Sequence, residues 1–269
     1  MDDLQQPEPV ALPTQTEIQT MQKIYIITYI SKKFLPRAAR LKYMFTRLKT
    51  LKLVNEYSIF SESDIRDEFK QKMGWIWNAN KGGGYWSWKP YLICNKLTEI
   101  SANDIVIYID GGCDINLKTT QAIKRLKEYI KIVNGSSQGV LRFELPHIEK
   151  QYINLTTVKH INNILKIDEE TSKNILSRNQ LVGGIMVIRK TEWSVEFMDH
   201  VMSILYADPQ ILSDVYSCVE DGIIHRHDQS LMSYVYKSLG GNLIIPDETA
   251  RINGRFNYRW PIMATRHHT

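Results

Sequence analysis

Residues 104–109 read DIVIYI, and this short run decides the fold. An unbroken apolar stretch of strand length is the pattern of a central strand covered on both faces. Working outward, 23–30 reads as a first buried strand and 57–61 as a second, with further strands at 139–143, 181–188 and 242–245. Helical periodicity fills the gaps. A helix lies over 32–52, opened in its first turn by Pro36, and others over 64–73, 90–100 and 118–133. Thr191 caps a helix with a Trp193, Phe197, Val201, Ile204 and Leu205 stripe. The last long helix, 228–239, ends at Gly240-Gly241. Strands alternating with helices predict an α/β protein, with a mostly parallel central sheet flanked by helices. The expectation is one Rossmann-like domain over 22–269, after a flexible leader at 1–21 rich in Gln, Pro and Thr. The polar stretch 146–179 reads as an irregular excursion or lid.

The 269-residue chain is long enough for one large domain, and 43% hydrophobic with 23% charged residues is ordinary for a globular protein. No apolar run approaches the ~20 residues that span a bilayer, and the acidic, proline-bearing start lacks the pattern of a secretory signal. Three cysteines (Cys94, Cys113, Cys218), none in a CxxC arrangement, argue against a disulfide scaffold or a structural zinc site. A reducing cytoplasm is the expected compartment. The net charge of +5 is unevenly placed. From Ser31 to Asn55 there is no acidic residue, while Lys32, Lys33, Arg37, Arg40, Lys42, Arg47, Lys49 and Lys52 all fall there. Leu41, Met44, Phe45, Leu48 and Leu51 share helical spacing, which puts the basic residues on the outer face. That face is either simply solvated, or drawn to an anionic membrane surface, an acidic acceptor or nucleic acid.

Three segments carry candidate chemistry. Residues 81–90 read KGGGYWSWKP, setting three glycines against Tyr85, Trp86 and Trp88, with Lys89 as a fixed charge. Glycines permit close backbone approach and aromatics offer flat faces, so the run suggests a pocket wall for a flat, hydroxylated anion such as a nucleotide-sugar. A loop packed over core aromatics is the plainer reading. Asp110 follows DIVIYI directly, before Gly111-Gly112, at the carboxyl end of a strand where open α/β sheets bind ligands. It suits a ribose hydroxyl or, with Asp114, an Mn²⁺ or Mg²⁺ ion; the alternative is an Asx-turn closing the strand. His225-Arg226-His227-Asp228-Gln229-Ser230 opens the last helix. There Asp228 is a helix cap or a general base. Gly183-Gly184 within LVGGIMVIRK marks a bulge, a close approach or simple packing.

In this order the segments resemble a group of small bacterial and viral glycosyltransferases of the GT-A fold, related to enzymes that build capsule, O-antigen and viral surface glycans. Their typical motifs are GYGYW-x-WKP, YLDAGC and HDQS. The likeness covers residues 23–245, departing at Gly83 and Gly111, where members often carry Tyr and Ala, and lacking a full Asp-x-Asp. It implies transfer of a sugar from a nucleotide-diphosphate-sugar, a UDP-sugar first, to a hydroxyl of a glycan or lipid-linked glycan, with a divalent Mn²⁺ or Mg²⁺ cofactor. By similarity Tyr85, Trp88 and Lys89 line the donor or acceptor pocket, Asp110 takes the metal or ribose position, and Asp228 lies near the reacting carbon. The catalytic candidates are Asp228 and Asp110, the metal candidates Asp110 and Asp114, and Thr28, Tyr29, Gly84, Gly183, Gly184 and His227 are further candidates for binding donor or acceptor. The other function classes are a nucleic-acid-binding module using the basic helix 32–52, and a non-catalytic nucleotide-sugar-binding relative. No nucleic-acid signature is present, so no such partner is expected.

Overall fold

The computed structural model describes residues 21–216, 223–250 and 255–265. The expected leader falls almost wholly outside them, as does Cys218.

In chain order the strands are β1 (Ile24–Tyr29), β2 (Glu56–Phe60), β3 (Ile105–Ile109), β4 (Asp114–Ile115), β5 (Val140–Ile148), β6 (Asn179–Leu181), β7 (Ile185–Arg189), β8 (Ile244–Pro246) and β9 (Ile262–Met263). The helices are α1 (Ala38–Thr50), α2 (Asp67–Met73), a single turn α3 (Gly82–Tyr85), α4 (Trp88–Glu99), α5 (Thr120–Asn134), α6 (Leu155–Leu165), α7 (Glu169–Ser177), α8 (Glu192–Ala207) and α9 (Asp228–Ser238). Among the described residues the central sheet has seven strands in the order β2-β1-β3-β7-β5-β6, with β8 also on β5. β1, β2 and β3 run parallel, β7 opposes β3, and β5 and β8 return to the first direction. The sheet is thus mostly parallel, with β7 and β6 reversed.

Alternation along the strands separates two cores. Ile27, Tyr29, Val106, Tyr108, Met186 and Ile188 pack under α2, α4, α8 and α9. Ile26, Ile105, Ile107, Ile109, Ile185 and Val187 pack under α1 and α5. All five residues of β3 are buried, as a strand covered on both faces requires. Thr119 caps α5 by accepting from Ala122 N, and Thr191 and Ser194 form a capping box on α8.

Three expectations change. The basic segment 32–52 is a 3₁₀ turn, Lys32–Arg37, followed by α1, because Pro36 cannot donate inside an α-helix. Arg37 is buried rather than on the outer face, and Leu51 is exposed. The stretch 146–179 is no irregular lid. β5 continues to Ile148, and α6 and α7 follow, capped by Asn154 and Asp168 and anchored through Val158, Ile161 and Ile175. Helices this short carry too few apolar residues to stand out in sequence. The single strand expected at 181–188 is split into β6 and β7 at Gly183-Gly184.

Candidate active site

The buried ammonium of Lys89 organises the carboxyl end of β3. It lies 2.6 Å from Asp228 Oδ2 and 3.1 Å from Asp110 Oδ1. It also donates to the Gly183 carbonyl at 3.0 Å. Four separate chain segments therefore meet on one cation: the start of α4, the end of β3, the β6–β7 loop and the start of α9.

Local sequence explains each approach. Tyr108 and Asp110 are two residues apart, so they share the α4 side of the sheet, and the buried Tyr108 hydroxyl donates to Asp110 Oδ1 at 2.7 Å. Burial, followed by Asp110, raises the Tyr108 pKa well above its usual value, so it stays a phenol and a donor. The Asp110 amide donates to Gly184 O at 2.8 Å, and a Cβ at Gly184 would stand 3.0 Å from Asp110 Oδ2. A side chain at Gly184 would make the carboxylate give by a few tenths of an ångström.

The ionisation of this cluster follows from burial against charge. For Lys89, burial opposes the charged form, but Asp110 and Asp228 outweigh it and raise the pKa. For Asp228, burial is again the largest influence, and it outweighs Lys89, pushing the carboxyl up to about 6. Lys89 stays protonated, while Asp228 titrates near neutrality. Asp228 Oδ2 touches the ammonium without an aligned hydrogen bond. By contrast, the Asp110 side chain is 36% exposed, and among the described residues Tyr108 and Lys89 both hold its Oδ1, leaving Oδ2 beside Gly184.

Above Lys89 the chain makes a left-handed turn, with positive φ at Gly82, Gly83, Gly84, Tyr85 and Trp86. Glycine tolerates that backbone, whereas for Tyr85 and Trp86 it costs roughly 1–2 kcal/mol each. A Cβ at Gly82 would fall 2.4 Å from the Trp86 ring. The strain aims two rings at His227: Trp86 stacks on it with centroids 5.4 Å apart, and Tyr85 lies at 5.1 Å. His227 itself has φ 53° and ψ −121°, a conformation costly for any residue with a side chain. Its Nδ1 donates to Leu212 O at 2.6 Å. His225 is fixed as well, its Nε2 donating to Ile211 O while Nδ1 accepts from Asn154 N.

The structure therefore brings together Lys89, Asp110, Asp228, Gly183, Gly184, Tyr85 and His227. It sets other expected residues apart. Trp88 is 5% exposed and stacks on Tyr29 at 4.0 Å, so both belong to the core rather than to a pocket wall. Thr28 is fully buried, and Gly84 is closed off against the Trp77 backbone. Asp228 is not a helix cap. His227 occupies the N-cap position, and the carboxylate turns to Lys89 instead. Asp110 and Asp114 form no metal pair. Asp114 is buried on the α1 side, 2.6 Å from Arg40 and 3.5 Å from Arg37. Guanidinium groups claim both its oxygens, and Asp110 Oδ1 is taken by Lys89 and Tyr108. That donor set does not fit the expected divalent ion. Among the described residues no three His, Cys, Asp or Glu side chains converge as a ligand group.

A buried relay behind the site was missed in the sequence. Gly183 N donates to Gln229 Oε1 at 2.9 Å, Gln229 Nε2 to Gln180 Oε1 at 2.6 Å, and Gln180 Nε2 to Glu149 Oε1 at 2.9 Å. Glu149 in turn pairs with Lys237, both fully buried. Gln229 lies in the HDQS run and could have been singled out; Gln180, Glu149 and Lys237 carry no local signal. Two surface depressions, of about 710 and 290 Å³, share Lys190, Val195 and Asp199 in their walls. They flank the opposite end of β3, where Ile105 pairs with Arg189, and have no part in this site.

The fold and site define an α/β protein with a lysine-bridged carboxylate pair at the carboxyl end of its central strand. No family model matches the sequence, and no curated protein matches it. Among solved structures, the chain is similar to mouse xyloside xylosyltransferase 1 in its apo form, at 12% identity and a TM-score of 0.43, over 85% of this chain and 87% of that one.

Proposed function

We propose that the protein is a GT-A-like glycosyltransferase, moving a sugar from a nucleotide-diphosphate-sugar, a UDP-sugar first, to a hydroxyl of a glycan. The observation that carries this reading is the Lys89 clamp on Asp110 and Asp228 beneath the strained aromatic turn. It lies where open α/β sheets bind nucleotides, in the order of motifs that resembles that group of enzymes. In the reaction, the acceptor oxygen bonds to the anomeric carbon as the bond from that carbon to the diphosphate breaks. The diphosphate leaves with the electron pair. The acceptor proton passes to Asp110 Oδ2, the open carboxylate oxygen of the cluster, rather than to Asp228, which is only 5% exposed beneath Lys89. Lys89 and the 58%-exposed Arg40 oppose the charge that develops on the leaving group. No step runs through a metal ion.

The acceptor side of the proposal includes a lipid-linked glycan presented at an anionic membrane. Lys42, Arg47, Lys49 and Lys52 are exposed on and just beyond α1, beside Tyr43 and Leu51. No described helix is long and apolar enough to cross a membrane.

The test is a thermal-shift panel of UDP-, GDP- and dTDP-sugars, with and without Mn²⁺. A true donor at a hundredfold excess over its Kd stabilises by about 2.7 kcal/mol. The expected result is one nucleotide class that stabilises, and an Asp110→Asn protein that still binds it but transfers no sugar. Failure of every nucleotide-sugar to stabilise the protein would overturn the reading. Tight, salt-dependent binding of arbitrary nucleic acid would replace it with the basic-helix alternative.

A further inference from the structure

Beyond the Lys89 cluster the aromatic turn continues into a rim that the motifs do not account for. Trp75, in the 3₁₀ turn after α2, is 49% exposed. It meets Tyr85 edge to face, with centroids 6.4 Å apart and planes at 87°. Tyr85 reaches His227 on one side and, through its hydroxyl, Asp214 Oδ2 at 3.4 Å on the other. Lys81 pairs with the same Asp214 oxygen at 2.8 Å, and both side chains are about half exposed, at 48% and 45%. Two aromatic faces and a balanced ion pair thus form a continuous surface that reaches the catalytic cluster through His227, the neighbour of Asp228.

That chemistry selects a ligand. A pyranose ring has an apolar C–H face and a hydroxylated edge. An exposed indole can cover the first, and a carboxylate–ammonium pair can take up the second, accepting and donating at once. Because the pair is neutral overall, it favours an uncharged sugar over a diphosphate. The exposed Arg40, which shares Asp114 with the buried Arg37 next to the Gly111-Gly112 turn, lies on the other side of β3, and Lys89 sits on Asp110 itself. Donor diphosphate and acceptor sugar therefore have separate surfaces on either side of Asp110.

We infer that Trp75, Tyr85, Lys81 and Asp214 form the acceptor subsite, holding a neutral pyranose of the acceptor glycan beside Asp110. The inference rests on the transferase reading above and adds the class of acceptor and the place where it binds.

The experiment applies the purified chain, with UDP present, to an array of neutral hexose, N-acetylhexosamine and uronic-acid oligosaccharides. Trp75→Ala, Trp75→Phe and Lys81→Ala are run alongside, and each variant is first checked for an unchanged Tm. The nucleotide-sugar thermal shift is measured in parallel. Neutral oligosaccharides should bind. Their affinity should fall by at least about tenfold in Trp75→Ala, as for an aromatic anchor, and recover largely in Trp75→Phe. The nucleotide-sugar shift should not change in any variant. Oligosaccharide binding indifferent to Trp75 and Lys81, a preference for uronic acids, or no bound oligosaccharide by a protein that binds nucleotide-sugar would overturn the subsite and leave the transferase reading standing. Trp75-dependent oligosaccharide binding without any nucleotide-sugar shift would overturn the transferase reading and leave a sugar-binding surface. Silence in both assays overturns both.

Discussion

Replacing Asp228 by Asn removes one charge and almost none of the volume from the centre of the Lys89 cluster. Burial holds this carboxyl at about 6 instead of its ordinary 3.8. At about 1.4 kcal/mol per pH unit, the folded protein carries an ionised Asp228 at a cost of about 3 kcal/mol relative to the unfolded chain. The sign follows from the raised pKa. The folded state binds this proton more tightly, so its contribution to stability is fully present below pH 3.8 and is lost as pH rises through about 6. The Asp228→Asn variant has no such loss. Urea unfolding of both proteins at steps from pH 4 to pH 7 should therefore show the variant gaining on the wild type by about 2 kcal/mol across the range, the rest of the loss falling below pH 4. Titrating groups outside the Lys89 cluster are common to both and cancel in the difference. A flat difference, or a wild type that gains as pH rises, would refute the reasoning. It would mean that attraction to Lys89 matches or outweighs burial. The same variant should transfer sugar more slowly, since Lys89 loses one of the two anions that position it; greater stability with lower activity is the expected signature of a functional buried charge.

The remaining expectations are simpler to read. Lys89→Met leaves Asp228 buried without its counter-ion and should destabilise by about 3–5 kcal/mol near neutral pH, with much of that restored in the Lys89→Met, Asp228→Asn double variant; denaturation of the four proteins closes the cycle. Trp88→Ala should cost about 3–5 kcal/mol and lower the Tm, while the surviving folded protein keeps its nucleotide-sugar affinity, since the ring is packed on Tyr29. Burial, with His227 second, holds His225 down to about 4 from 6.5, so its contribution is fully present above pH 6.5 and lost as pH falls toward 4. His225→Gln should flatten that acid limb, as followed by unfolding between pH 7 and pH 4.

The sequence by itself determined the layered architecture, because the relevant physics is local. DIVIYI has no polar residue between Asp104 and Asp110 apart from the phenol of Tyr108, so it could only be a strand covered on both faces. The stripe Leu41, Met44, Phe45 and Leu48 could only be the inner face of a helix. It also marked Lys89, Asp110, Asp228 and the paired glycines, since glycine runs and a charge at the end of an apolar strand are readable one segment at a time. Only the tertiary structure decided what these residues do to one another. Trp88 and Trp75 are alike in sequence, yet Tyr29 covers one and solvent reaches the other. Asp114 stands four residues from Asp110 but answers to Arg37 and Arg40 across the sheet. Asp228 opens a helix, the place of a cap, but a lysine more than a hundred residues earlier in the chain takes its carboxylate. Burial and charge act through space, and the distance along the chain does not enter them; the partner that sets a carboxylate's protonation is fixed only when the sheet and its helices have closed.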